Sequence, residues 1–160
     1  MKKYKILYDN KIEILGHTLY RIRACRDFGD VKAGDIGGYI EKPENLSQEG
    51  GCWVYGKAWV CGNARVYGDA WVYDNACVYG NACVYGNTEV YGKAWVCGNA
   101  RVYGDAQVFN NAWVYDNACV YGDAEVYGDA EVYGDARVFG NAFVCDSARV
   151  YGDAQINKRI

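Results

Sequence analysis

A valine recurs at every sixth position from Val54 to Val150, seventeen times, with no insertion between any two. The residue after it is Tyr in twelve units, Phe in two and Cys in three, and the fifth position is Ala in all but one, where it is Thr88. A period of six fits neither the roughly 3.6 residues of an α-helical turn nor the roughly 3.5 of a coiled coil. It demands a stack of short, near-identical units.

Written as Ala-x-Val-Tyr-Gly-Asp/Asn, each unit is a short strand followed by a corner. Ala and Val lie two apart and face the same side, inward, while x and Tyr face outward. Gly-Asp, Gly-Asn or Asp-Asn supplies the backbone angles of the corner. Three units close a triangular coil of 18 residues. Stacked in parallel about 4.8 Å apart, the seventeen units make five to six coils, roughly 27 Å in all. The segment VYGKAWVCGNARVYGDA at 54–70 returns at 90–106, an offset of two coils. The predicted fold is therefore all-β, a single-stranded parallel β-helix of hexapeptide repeats.

Residues 1–45 break the period and read as an antiparallel β cap. KYKILY, IEIL and LYRIRAC form three alternating strands, turned at DNK and GHT. Covering the open first coil is the physical task of such a segment. The solenoid then spans 46–157. A charged tail, 158–160, carries Lys158 and Arg159, which oppose end-to-end stacking.

Composition narrows the function. A net charge of −3 gives no basic footprint for nucleic acid. No apolar run of about 18 residues predicts a membrane span, and the alternating N-terminus has no signal-peptide core. Residues 54–155 hold six Lys/Arg and twelve Asp/Glu, so the solenoid itself is acidic. None of the eight cysteines forms a C-x-x-C pair or lies 18 residues from another. Neither a disulfide ladder nor a zinc cluster is expected, and free thiols point to a cytoplasmic protein.

Catalytic chemistry finds few residues. The one histidine, His17, lies in the N-terminal turn ILGHTLY and not on the coils. It reads as a turn histidine, solvated or hydrogen-bonded within the cap. The cysteines lack a neighbouring histidine to activate them. Asn63, Asn81, Asn99 and Asn117, followed by Asp135 and Asp153, stack in one corner column and read as hydrogen-bonded ladders. No catalytic, cofactor-binding or metal-binding residue is assigned.

The outward columns carry more information. One face stacks Trp53, Trp71, Glu89, Gln107, Glu125 and Phe143. The third alternates Arg65, Cys83, Arg101, Cys119 and Arg137 beside a tyrosine column, where cation–π contacts are an option. The second places Trp59, Trp95 and Trp113 beside Tyr79, Tyr115 and Tyr133. That strip is broader than a monomer usually leaves in water. These six residues are the expected interface, for self-association into a homo-oligomer or for a protein partner.

The phrases LYRIRACRDF (19–28), VKAGDIGGYIEKPENLS (31–47) and CWVYG (52–56), followed by VYGNA-type hexads, resemble the YdcK-like β-solenoid family, within the hexapeptide-repeat, trimeric LpxA-like superfamily. The resemblance covers nearly the whole chain. It implies a left-handed helix, and relatives occur in bacterial and phage genomes. Many are labelled transferases because the fold resembles hexapeptide acyltransferases. Those enzymes use a histidine on the coils and a protruding loop, and this chain has neither. The function expected is a non-enzymatic scaffold or binding protein, acting on a host protein if the setting is a phage or prophage. The alternative is a hexapeptide-repeat acyltransferase using acyl-CoA.

Overall fold

The computed structural model describes residues 2–159. From Trp53 to Ile156, eighteen two-residue strands follow one another at six-residue spacing, each ending in a turn. They stack as three parallel sheets. Register is fixed at one coil per step, so Trp95 pairs with Cys77 above and Trp113 below. The outward columns are those that the spacing predicts on all three faces. With the strands before them they make about seven coils, a parallel β-solenoid.

The interior is a column of Ala and Val. Val54 through Val144 and the alanines from Ala58 to Ala142 are almost completely buried. Thr88 takes one alanine position, and its hydroxyl donates back to the Tyr85 carbonyl at 2.8 Å, so the exception is satisfied inside the tube. Only at the lower end do Ala148, Ala154 and Ile156 become partly exposed. Main-chain bonds run along the axis through strands and corners alike. The Trp95 N–H donates to the Ala112 carbonyl at 2.9 Å and the Asn99 N–H to the Asp116 carbonyl at 2.7 Å.

The N-terminal segment departs from the expected three-stranded meander. The first two strands are one, β1 (Tyr4–Ile14), paired antiparallel with β2 (His17–Ala24). The expected turn at Asp9–Lys11 is a bulge. Leu7 pairs with Arg21 and Lys11 with Tyr20, which leaves Tyr8, Asp9 and Asn10 between them without partners in the ladder. The polar triplet interrupts the alternation, but β2 is long enough to hold both halves in one ladder. The third strand, β3 (Ile36–Ile40), pairs antiparallel with β2 and parallel with Trp59–Val60. The second face thus continues upward into the hairpin as one nine-stranded sheet.

β3 also closes the mouth of the tube. A Cβ on Gly37 would lie 2.7 Å from Ile22, the Trp53 ring and the Val54 carbonyl. One on Gly38 would sit 2.5 Å from the Ala58 carbonyl. The glycine pair in DIGGYI therefore lets one backbone rest directly on another. Over it, Tyr4 and Phe28 meet the buried Trp53 edge-on, at 6.1 and 5.2 Å between ring centroids. Asn45 ties the short 3-10 turn Pro43–Asn45 to the first coil. Its amide donates to the Gly62 and Ala64 carbonyls, and its oxygen accepts from the Glu41 and Lys42 N–H groups.

Candidate binding face

All six residues expected at an interface lie in one aromatic strip. Trp59 stacks near Tyr79 (5.7 Å between centroids), Tyr79 meets Trp95 edge-on (5.8 Å), and Trp95 lies flat on Trp113 (5.0 Å). Trp113 then touches Tyr115 (6.2 Å), which stacks on Tyr133 (4.9 Å). Tyr133 reaches Tyr151 (5.5 Å), which the spacing places in the same column, beyond the six expected interface residues, and which is 60% exposed.

The strip is not uniformly open. Trp59 retains only 8% of its surface, because Leu19 of the hairpin covers it, with Ile12, Ile14 and Tyr39 packed around. The chain's own cap takes up that end, so Trp59 is not offered to another molecule. The hairpin's fold over the sheet is a non-local contact that the hexad spacing does not contain. Below it, Trp95 is half-buried and Trp113 is 41% exposed, the most exposed of the tryptophans. Farther down the surface turns polar. The Tyr115 hydroxyl donates to Glu131 at 2.9 Å, and the Arg149 Nε lies 3.8 Å from the same carboxylate. Burial, reinforced by that hydrogen bond to Glu131, pushes the Tyr115 phenol up to about 12.

The thiols beside the strip are poor nucleophiles. Cys61 and Cys77 are buried, and burial pushes each up to about 12, with nearby Glu41 adding to Cys61 and the neighbouring thiols Cys61 and Cys97 to Cys77. Cys25, Cys52, Cys61, Cys77, Cys83, Cys97 and Cys119 are free. Among the described residues, no group of three or more His, Cys, Asp or Glu could hold a metal ion.

His17 is held within the cap. Its Nδ1 lies 2.9 Å from Glu41 Oε2, while Glu41 Oε1 accepts the Gly62 N–H at 2.7 Å. Burial opposes the Glu41 charge, but these two hydrogen bonds outweigh it and hold the carboxyl below its usual value. The histidine thereby braces the hairpin against the first coil.

The corner ladder forms as the spacing predicts as far as Asp135. Asn63, Asn81, Asn99 and Asn117 each donate an amide to the next residue of the column, at 3.1–3.2 Å, the last reaching Asp135. On the third face the tyrosines occupy one another. Tyr67, Tyr85, Tyr103 and Tyr121 stack at 4.7–5.0 Å with rings nearly parallel. Their π-faces are covered, and the described cation–π contacts lie elsewhere, as in Arg21 over Tyr39 at 4.6 Å. On the first face an open groove of about 940 Å³ runs between Tyr55, Trp71 and Tyr73 and the corner residues Lys57, Asp74 and Lys93.

Fold and surface together define a hexapeptide-repeat parallel β-solenoid with an aromatic strip on one face. Residues 58–74 and 94–110 match the YdcK β-solenoid repeat. The two matches are offset by two coils, like the internal echo. The chain is also 51% identical, over 37 residues, to a protein of Escherichia coli (strain K12) named "Uncharacterized acetyltransferase YdcK". That stretch covers 23% of this chain and 11% of the relative. The chain is thus similar to the YdcK β-solenoid repeat over those stretches, and it spans only a small part of that relative's length.

Proposed function

We propose that the chain is a β-solenoid scaffold that binds protein through the lower part of the aromatic strip, with a second copy of itself as the first partner. The observation that carries this reading is the Trp95–Trp113 stack, left uncovered where the hairpin ends. Large aromatic residues in contiguous exposed strips are typical anchors of protein interfaces. Neither ring contributes to the Ala/Val interior, so the fold does not need them as tryptophan. No helix of the described residues is long and apolar enough to cross a membrane. The free thiols suit a reducing compartment, and we place the protein in the cytoplasm on that ground.

The test is molar mass in solution by light scattering, for the native chain and for a Trp95→Gln, Trp113→Gln double variant. The expected result is an oligomer that dissociates in the variant while the circular dichroism of the coil is retained. A native monomer, or an oligomer unaffected by the substitutions, removes self-association through this strip.

A second reading, acyl transfer from acyl-CoA, is favoured by the name of the E. coli relative and by the groove on the first face. Lys57 and Lys93 stand there two coils apart over an aromatic wall, a setting for an anionic ligand. Against it, the one histidine belongs to the cap hairpin, not to a coil, and is engaged with Glu41. Calorimetric titration with acetyl-CoA decides. Binding that is lost in Lys57→Ala, Lys93→Ala supports transfer chemistry, and absence of heat at millimolar ligand leaves the scaffold reading.

A further inference from the structure

Lys3 alone among the lysines of the described residues is fully buried. Its burial follows from the loop ahead of the first coil. Gly50, with φ of +69°, turns that loop so that the Glu49, Gly50 and Cys52 carbonyls converge. The Lys3 ammonium enters this cage, 2.8 Å from the Cys52 carbonyl and 3.3 Å from each of the other two. Phe28 lies below it, 5.0 Å from Nζ to the ring centroid. The fourth contact is the Cys52 thiol, also fully buried, with Sγ 3.2 Å from Nζ. A nucleophilic amine and a thiol are thus held against each other, 49 positions apart in sequence, at the seam between the N-terminal strand and the solenoid.

We propose that Lys3 and Cys52 are a modification site, joined by an N–O–S bridge when the protein meets hydrogen peroxide. The first peroxide oxidises the thiol to a sulfenic acid and leaves as water. The second takes up two further electrons as the sulfenic oxygen bonds to the lysine nitrogen. The thiol proton and one nitrogen-bound hydrogen end in water. One thiol, one amine and two peroxides give one bridge and three waters.

Three features favour this outcome over ordinary thiol oxidation. Peroxide is small and neutral and can reach the buried thiol through local opening of the N-terminal segment. The Ser47 and Glu49 carbonyls stand 3.5 and 3.7 Å from Sγ and crowd the larger sulfinic and sulfonic acids. The separation suits a bridging oxygen, whereas a direct N–S bond would require the two atoms to close to about half their distance. Burial also lowers the lysine pKa and so raises the share of neutral, nucleophilic amine, while it pushes the Cys52 thiol up, an effect that the neighbouring Lys3 opposes.

The bridge would fasten β1 to the first coil and make the cap a covalent clasp. Lys3→Arg keeps the cation and removes the amine. Cys52→Ser removes the sulfur.

The experiment is peptide mapping by mass spectrometry on the native chain, after exposed thiols are blocked with a maleimide and the protein is treated with hydrogen peroxide. The expected product is a linked pair containing Lys3 and Cys52, heavier than the sum of the two peptides by about 14 Da, one oxygen gained and two hydrogens lost. Dithiothreitol should release it, and neither Lys3→Arg nor Cys52→Ser should form it. The linked form should also melt at a higher temperature than the reduced form. Three results overturn the proposal. One is Cys52 recovered as sulfinic or sulfonic acid with Lys3 free. Another is a linked pair lighter by about 2 Da, the mark of a direct sulfenamide. The third is Cys52 unchanged at a peroxide dose that oxidises it fully in the unfolded chain.

Discussion

At the scale of single residues the corners set the limits. Gly104 has φ of +75°, and a Cβ there would meet the Gly122 nitrogen at 2.9 Å. Left-handed backbone and axial crowding act together, so Gly104→Ala should cost about 1–3 kcal/mol in urea denaturation. Asp116 shows how a non-glycine is accommodated at the same kind of corner. Its φ is 57°, and its carboxylate accepts the Gly134 N–H at 3.1 Å. A second prediction concerns Glu41. Its carboxyl is depressed in the folded state, so its contribution is complete above its ordinary value of 4.5 and is lost as pH falls through the folded value. Melting curves should therefore show Glu41→Gln below the native chain at neutral pH, by about 1 kcal/mol, converging with it as the pH falls through the folded value. Parallel curves across that range would remove the carboxylate from the explanation.

At the scale of elements, the hairpin is held to the solenoid by side chains from both partners. Leu19 is fully buried against Trp59. Leu19→Ala should cost about 2–4 kcal/mol and loosen β1 and β2 first. Tryptophan fluorescence should shift to the red as Trp59 meets water, and an unshifted spectrum would place the hairpin's hold elsewhere. The hexads made the coils legible because each unit repeats the same local choice. Ala and Val face in, Gly turns, and register follows from six-residue spacing alone. Trp95 over Trp113 and the Asn63 ladder were readable for that reason. The cap was less so. β1 runs through Asp9–Lys11 as a bulge because its partner strand spans the interruption, which a local reading of DNK cannot see. Trp59 sits in the right column, yet its exposure depends on Leu19, forty positions away. Lys3 shows the same limit more sharply. A lysine near the N-terminus reads as solvated, and only the converging carbonyls of residues 49–52 make it an interior residue.

At the scale of the whole molecule, the coil is a ruler. Every outward column repeats at 18 residues, and side chains one coil apart are the ones that touch. Each coil contacts only its neighbours, so stability should be close to a sum of coil and interface terms. Length changes then fall into three classes. Removing residues 90–107 excises one full coil, returns Val108 to the place of Val90 and keeps every column on its face. Such a chain should fold, shorter by one coil, with little loss per remaining interface. Removing only residues 90–95 keeps Ala and Val inward but rotates all later columns by one face. The tube should still form, while at the junction Phe109 replaces Tyr103 under Tyr85 and Cys97 replaces Tyr91 under Tyr73, so that the Tyr73 stack is lost at about 0.2–1 kcal/mol. Removing five residues turns valines outward and should unfold everything below the cut. Urea melts and limited proteolysis of the three chains would order them full coil, single hexad, five residues. If the hexad deletion proved as stable as the full-coil deletion, the outward ladders would be decoration on a tube held by its interior alone. The aromatic strip would then have binding as its remaining reason to be continuous.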